Sequence, residues 1–471
     1  MASRSRWWSP SRERRPARRD QPAMKLERES LALLDEALQS IEQGFRDLPD
    51  APVYVDRAAL REAVLAAAER MRDNFPYAHP LYVGQMLKPP HPVARIAYAM
   101  SLWLNPNNHA LDGGRASSAL EKEAVAAIAR MFGWETHLGH LCGGGTIANF
   151  EALWVARELA PGKAIAASSQ AHYTHSRLSA VLGVPFRAIA VDARGRMDLA
   201  ALERALAGGE IGAVVVTLGT TAAGTVDPLP EILALRARHG FRLHVDAAYG
   251  GYYTLAGNLE PWARRAFDRV AEADSIVVDP HKHGLQPYGC GCVLFRDPAV
   301  GRIYRHDSPY TYFSSPELHL GEISLECSRP GASAVALWAT QRMLPLERGG
   351  EFARSLESCR EAALAMHAAL TTDARFAPLF PPELDIVSWA VRADTAGESS
   401  RRARRIFEQA ARQGLHLAVA TFPRAMVEGA APVRDWDAAD LTCLRACVMK
   451  PEHRDWMSEI LARLDRAAAA A

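Results

Sequence analysis

Apolar positions recur along this chain first at helical spacing and then in short unbroken runs. Leu26 to about Arg46 and Arg57–Arg72 carry apolar residues on one face of a 3.6-residue period and predict amphipathic helices. Phe75–Pro92, dense in proline and aromatic residues, predicts an irregular stretch. A helix pattern runs from Ser117 to Met131, and after a glycine cluster at 143–145 another covers Ile147–Glu158. Then apolar runs at Ala164–Ala167, Ala188–Val191, Ala213–Thr217, Arg242–Val245, Ser275–Val278 and Cys292–Phe295 predict strands. Helical stretches such as Leu199–Ala207 and Leu229–His239 separate most of them.

Strands without a polar face, spaced by helices, predict an α/β fold with a largely parallel sheet covered on both sides. The last run follows a turn with no crossover helix, which permits an antiparallel strand. Beyond Arg329 the pattern changes. One long helix from Ala332 to about Leu370, strands near Ile386–Val391, His416–Ala420 and Leu444–Val448, and a helix over Arg454–Arg466 predict a smaller α+β domain. A chain of 471 residues exceeds one compact core. The expected layout is a basic tail (1–23), an N-terminal helical segment (24–116), a large domain (117–328) and a small C-terminal domain (329–471).

Composition narrows the function classes. With 49% apolar and 23% charged residues and a net charge of +1, the chain reads as an ordinary globular protein. No basic stripe follows the first twenty residues, so nucleic acid is not an expected partner, and no run reaches the length of a membrane span. The stretch Met1–Pro22 holds seven arginines and two tryptophans but no apolar core of a secretory signal. It predicts a disordered tail, with Met24 as an alternative start. Seven scattered cysteines without a CxxC pair suggest neither a disulfide framework nor zinc, and a reducing cytoplasm is the expected setting. Cys290 and Cys292 suit core-filling thiols.

The chemistry gathers at strand ends, where ligands sit in sheets of this kind. The run Leu243–Val245 closes on Asp246, and the run ending at Val278 leads into Asp279-Pro-His-Lys-His283. A lysine and an aspartate on neighbouring strand ends meet the needs of pyridoxal phosphate (PLP). The amine takes the cofactor aldehyde as a Schiff base, and the carboxylate keeps the pyridine nitrogen protonated. Gly143-Gly-Gly-Thr146 precedes a helix and can cup a phosphate, or simply turn the chain. His172 can stack on an aromatic ring or cap a helix, and the loop 218–227 can line a ligand or turn the chain. His281 and His283 hint at a metal pair, but no third ligand is evident.

Taken together these motifs resemble the group II PLP-dependent amino-acid decarboxylases, from about His79 to Pro451. The resemblance implies fold type I, the aspartate-aminotransferase-like arrangement, and a homodimer. It implies that Gly144, Gly145 and Thr146 bind the phosphate, with Gly143 where the family commonly has serine. His172 matches the ring stacker, Thr220 lies in the loop flanking the cofactor, and Asp246 matches the partner of the pyridine nitrogen. Ala248 matches the small residue under the ring, His281 a phosphate contact and Lys282 the Schiff-base lysine, whose pKa is expected to be lowered by its surroundings. Tyr310 or Tyr312 matches a proton donor on a mobile loop. Tyr82 and Gln85 match a substrate-side segment, and Arg445 matches a substrate-carboxylate clamp.

The activity implied is decarboxylation of an aromatic or acidic L-amino acid, with His172, Lys282 or a tyrosine returning the proton. Ser328-Arg-Pro-Gly331 departs towards sphingosine-phosphate lyase and archaeal tyrosine decarboxylase. An aldolase-type carbon–carbon lyase is therefore the alternative, and a catalytically silent PLP-binding scaffold is a third reading.

Overall fold

The computed structural model describes residues 27–51, 53–305 and 318–471, and among them the strands form two sheets. The larger comprises β1 (Leu138–Cys142), β2 (Ala164–Ser168), β3 (Phe186–Ile189), β4 (Ile211–Thr217), β5 (Arg242–Asp246), β6 (Ser275–Val278) and β7 (Gly291–Phe295). Their order is β1-β7-β6-β5-β4-β2-β3. Strands β2 to β6 run parallel, and β7 is antiparallel to both neighbours, as its lack of a crossover helix allowed. The residues of β4 and β7 are buried on both faces apart from the half-buried Gly212. That burial is why these strands read as continuous apolar runs rather than alternating ones.

The apolar pattern does not predict β1, because Gly139 and His140 interrupt it. Packing explains both residues. A Cβ on Gly139 would lie 2.5 Å from Leu294 Cδ2, and His140 is fully buried with Nε2 2.8 Å from Glu151 Oε2. The Glu151 carboxylate outweighs the opposing effect of burial and raises the His140 pKa.

The second sheet is antiparallel, in the order β10 (Ala418–Pro423), β11 (Asp440–Cys447), β9 (Ile386–Val391), β8 (Phe376–Pro378). The single helix expected over 332–370 is two helices, Gly331–Met343 and Glu351–Thr372. Pro345 has no N–H to continue the first, and Gly349 at φ +73° turns the chain into the second. The first packs on the helices Pro92–Ser101 and Leu111–Met131, the second on the small sheet and the C-terminal helix His453–Ala469.

Helices outside the sequence expectations include Pro92–Ser101, Pro261–Asp268 and Ala396–Arg412. In Ala396–Arg412 the buried stripe is made of small residues, Ala396, Ala403 and Ala410, with Ile406, among arginines. The irregular stretch before Pro92 is anchored to the small sheet: Val83 N donates to His416 O at 2.9 Å, and Cys447 N to Val83 O at 2.7 Å. The N-terminal helices Leu31–Gln43 and Arg57–Met71 bury no residue. Among the described residues no helix is long and apolar enough to cross a membrane.

Candidate active site

Five chain reversals converge beyond the carboxyl ends of β1, β2, β4, β5 and β6. Sheet register aligns their last residues, with Thr217 opposite Asp246 and Asp246 opposite Val277. The cavity they enclose measures about 330 Å³, and its wall includes Gly144, Gly145, Thr146, His172, Asp246, Ala248, His281 and Lys282. Residues spread over more than a hundred positions of sequence thus face one space.

The glycine cup is set by close backbone contact. Gly144 sits at φ +142°, where a side chain is strained, and a Cβ there would lie 3.1 Å from His281 Cε1. Opposite, a Cβ on Gly291 would lie 2.5 Å from Gly144 Cα. The helix Gly145–Leu159 begins here, so its first N–H groups, which have no intrahelical partner, and its positive end border the cavity. Cys142, just before the cup, is a buried thiol. Gly143, which lacks the expected hydroxyl, donates its N–H to Glu326 Oε2 at 3.0 Å.

Asp246 is buried at the end of β5, accepting from His175 Nε2 at 2.8 Å and from Ala248 N at 3.1 Å. Burial alone would raise its pKa. The hydrogen bond and charge of His175, with the charge of Lys282, outweigh burial and hold Asp246 well below the usual carboxylate range. His175 is a residue the sequence did not reveal. It stands one helical turn past His172 and so presents as a second polar residue at a helix start. His172 is half-buried in the cavity wall, and burial lowers its pKa so that the ring is neutral at pH 7.

Lys282 Nζ lies 2.9 Å from Asp279 Oδ2. Burial pulls the amine's pKa down, but the carboxylates of Asp279 and Asp246 more than offset it, and the pKa is raised. The expectation of a lowered lysine is therefore not met, because Asp279 supplies a direct counter-ion. His281 and His283 turn to different partners: His281 Nδ1 is 2.9 Å from Cys290 O, and His283 Nε2 is 3.2 Å from Asp385 Oδ2. Tyr249 of the cavity wall donates to the other oxygen of Asp385 at 2.6 Å. Asp385 thus joins the lysine segment and the cavity wall to the edge of the small sheet.

Several expected residues are not in the wall. Thr220 turns away, its hydroxyl 2.7 Å from that of Thr225, and Thr217, Gly219 and Thr221 line the cavity instead. Gln85 is exposed, and Tyr82 and Arg445 are buried outside the cavity lining. Tyr310 and Tyr312 lie outside the described residues. Tyr288, unforeseen, borders the cavity with 58% of its surface exposed and its ring 4.9 Å from that of His281. The departure at 328–331 serves packing: buried Arg329 pairs with Glu121 at 2.8 Å and also donates to Leu141 O.

The donor set fits pyridoxal phosphate. Thr217 Oγ1 and Asp279 Oδ1 are buried in the wall with no partner among the described residues, the cup offers helix-start N–H groups to a phosphate, and an amine and a carboxylate stand at the same cavity. Residues 104–392 match the family described as the pyridoxal-dependent decarboxylase conserved domain. An L-tyrosine decarboxylase of Enterococcus faecium is 29% identical, with 75% of this chain and 76% of that protein covered. A probable L-tyrosine/L-aspartate decarboxylase of Methanoculleus marisnigri is 30% identical, covering 70% of this chain and 88% of that protein. Among solved structures, mouse CSAD superposes with a TM-score of 0.75 at 21% identity, covering 91% of each chain. Oryza sativa TDC with PLP and tryptamine gives 0.74 at 19% identity, covering 94% of this chain and 99% of that one. The named relatives are decarboxylases, which disfavours the aldolase-type alternative. The chain belongs to the pyridoxal-dependent decarboxylase family and is a carboxy-lyase that decarboxylates an amino acid with pyridoxal phosphate.

Proposed function

We propose that the substrate is an aromatic L-amino acid, L-tyrosine first, and that Lys282 is the cofactor's covalent partner. The observation that carries the site assignment is the meeting of Lys282, Asp246, His172 and the glycine cup in one cavity. The aromatic preference is supported by Tyr288 at the cavity edge and by the tyrosine decarboxylase relative.

When bound, pyridoxal phosphate supplies a protonated pyridine ring that accepts the electron pair left as carbon dioxide departs. Gly144, Gly145 and Thr146 hold its phosphate with backbone N–H groups, assisted by His281. His172 would cover one ring face and Ala248 would leave room at the other. Asp246, kept ionised by His175, holds the proton at the ring nitrogen. Lys282 gives up its proton before it can bond to carbon, and Asp279 is the carboxylate beside it. Proton return falls to Tyr310 or Tyr312, to His172, or to Tyr288. Phenylalanine at each tyrosine position in turn sorts the phenols.

An acidic substrate is the second reading. Arg445 lies buried outside the cavity lining, but among the described residues its Nε has no partner and its Nη2 donates to Cys447 Sγ at 3.2 Å, so the guanidinium keeps capacity for a carboxylate that reaches it. The test is carbon dioxide release from L-tyrosine, L-phenylalanine, L-tryptophan, L-aspartate and L-glutamate by PLP-loaded protein. Release fastest from L-tyrosine supports the proposal, release fastest from L-aspartate transfers it to the second reading, and release from none of them overturns both.

The homodimer is part of the same proposal. The helix Arg57–Met71 exposes Leu60, Val64, Leu65 and Met71 and buries none of its residues against the other described residues, which is costly for an apolar face unless a second copy covers it. Sedimentation equilibrium at twice the chain mass is the expected result, and a monomer overturns this part. The cytoplasm is the proposed compartment, consistent with seven free cysteines.

A further inference from the structure

A second cavity, of about 310 Å³, has no part in the site described above. Two lysines form its floor: Lys88 is 8% exposed and Lys450 is 2% exposed. An ammonium taken out of water needs a counter-charge, and a second ammonium beside it sharpens that need. Lys450 donates to Tyr82 O at 2.6 Å with the Tyr82 ring centroid 5.4 Å away, and the charge of Glu452 offsets its burial only in part. Among the described residues Lys88 makes no hydrogen bond or ion pair. The acidic residues of this cavity, Glu351 and Glu452, are exposed at its rim and leave the floor cationic. Burial and the charge of Lys88 bring the Lys450 pKa down to about 8.

We propose that this cavity binds a small oxyanion, the carboxylate or phosphate group of a metabolite, between Lys88 and Lys450. The bound group supplies the counter-charge the fold omits, and the walls (Phe352 and Leu285 among them) accept the apolar remainder of such a molecule.

The test uses PLP-loaded protein, so that the glycine cup is already filled. Inorganic phosphate and acetate are titrated at constant ionic strength, with chloride as the control salt. A saturable rise in Tm with either probe, absent with chloride, is expected. Phosphate alone identifies a phosphate site and acetate alone a carboxylate site. Lys88→Met is expected to remain folded without added anion, since it removes one of two like charges that share the cavity, and to lose the rise. A rise of equal size in Lys88→Met, or none in the unsubstituted protein, overturns the proposal. The second measurement needs no variant. Acylation of Lys450 at pH 8, followed by mass spectrometry of the peptide, slows at saturating probe, and an unchanged labelling rate counts against the site.

Discussion

His175 donates its Nε2 proton to Asp246 Oδ2 across 2.8 Å, from a ring with no exposed surface. The two residues are 71 positions apart in the chain. An ionised carboxylate can only accept, so the bond fixes the donor as Nε2–H and locks the carboxylate's orientation. Charge-assisted hydrogen bonds contribute about 1.5–3 kcal/mol. His175→Phe is therefore expected to lower kcat by about 10–100-fold while PLP is retained. Asp246→Asn removes the charge itself and is expected to cost more, on the order of 10²–10³-fold. Steady-state rates and cofactor content of both variants check this order, and wild-type turnover in Asp246→Asn removes the carboxylate from the chemistry.

Lys282→Ala is expected to abolish turnover. Borohydride treatment of the PLP-loaded protein should label a peptide containing residue 282, and the variant should give no such peptide. A labelled peptide elsewhere, or an active variant, ends the assignment.

The Lys282–Asp279 pair also predicts an alkaline limit for the cofactor-free protein. A lysine whose folded pKa is raised binds its proton more tightly in the folded state. The stability it contributes is present below the ordinary lysine value of about 10.4 and is lost as pH rises through the folded value. Against a Lys282→Met reference, Tm of the cofactor-free protein should fall away only above about pH 10. Loss near pH 8 would contradict the pairing.

His172 has the opposite sign. Burial disfavours its charged form, so the folded pKa lies below the ordinary imidazole value of about 6.5. Stability and ring stacking are kept at pH 7 and are lost only as pH falls through 6.5 towards the folded value. Histidine NMR titration should place His172 below the exposed histidines, and a midpoint at or above 6.5 refutes a neutral stacker.

Asp385→Ala leaves His283, Tyr249 and their buried surroundings without their acceptor. Leaving a buried donor without its acceptor costs about 1–3 kcal/mol. Denaturant unfolding should show a loss of that size, and a change below about 1 kcal/mol would mean that the network carries no stability.

The strand succession of the large sheet was legible because buried parallel strands leave a mark in local composition, short apolar runs set off by helices. Where that mark was interrupted, as in β1 by Gly139 and His140, the element was missed. The long helix expected after Arg329 failed for a local reason that was visible in principle, Pro345 followed by Gly349-Gly350. The helix Ala396–Arg412 escaped because alanine and serine, not large apolar residues, form its buried face.

The chain order alone determined that Asp246 and Lys282 end neighbouring apolar runs and that a glycine cup precedes a helix, because polar residues closing buried strands have nowhere to face but the sheet's open end. Only the folded arrangement decided that His175 supports Asp246, that Thr217 and not Thr220 faces the cavity, that Asp385 reaches His283, and that Lys88 and Lys450 share a floor. The physical reason is register and packing. The direction of a side chain is set by which strands pair and which helices cover them, and residues far apart in sequence carry no local periodicity that records their meeting.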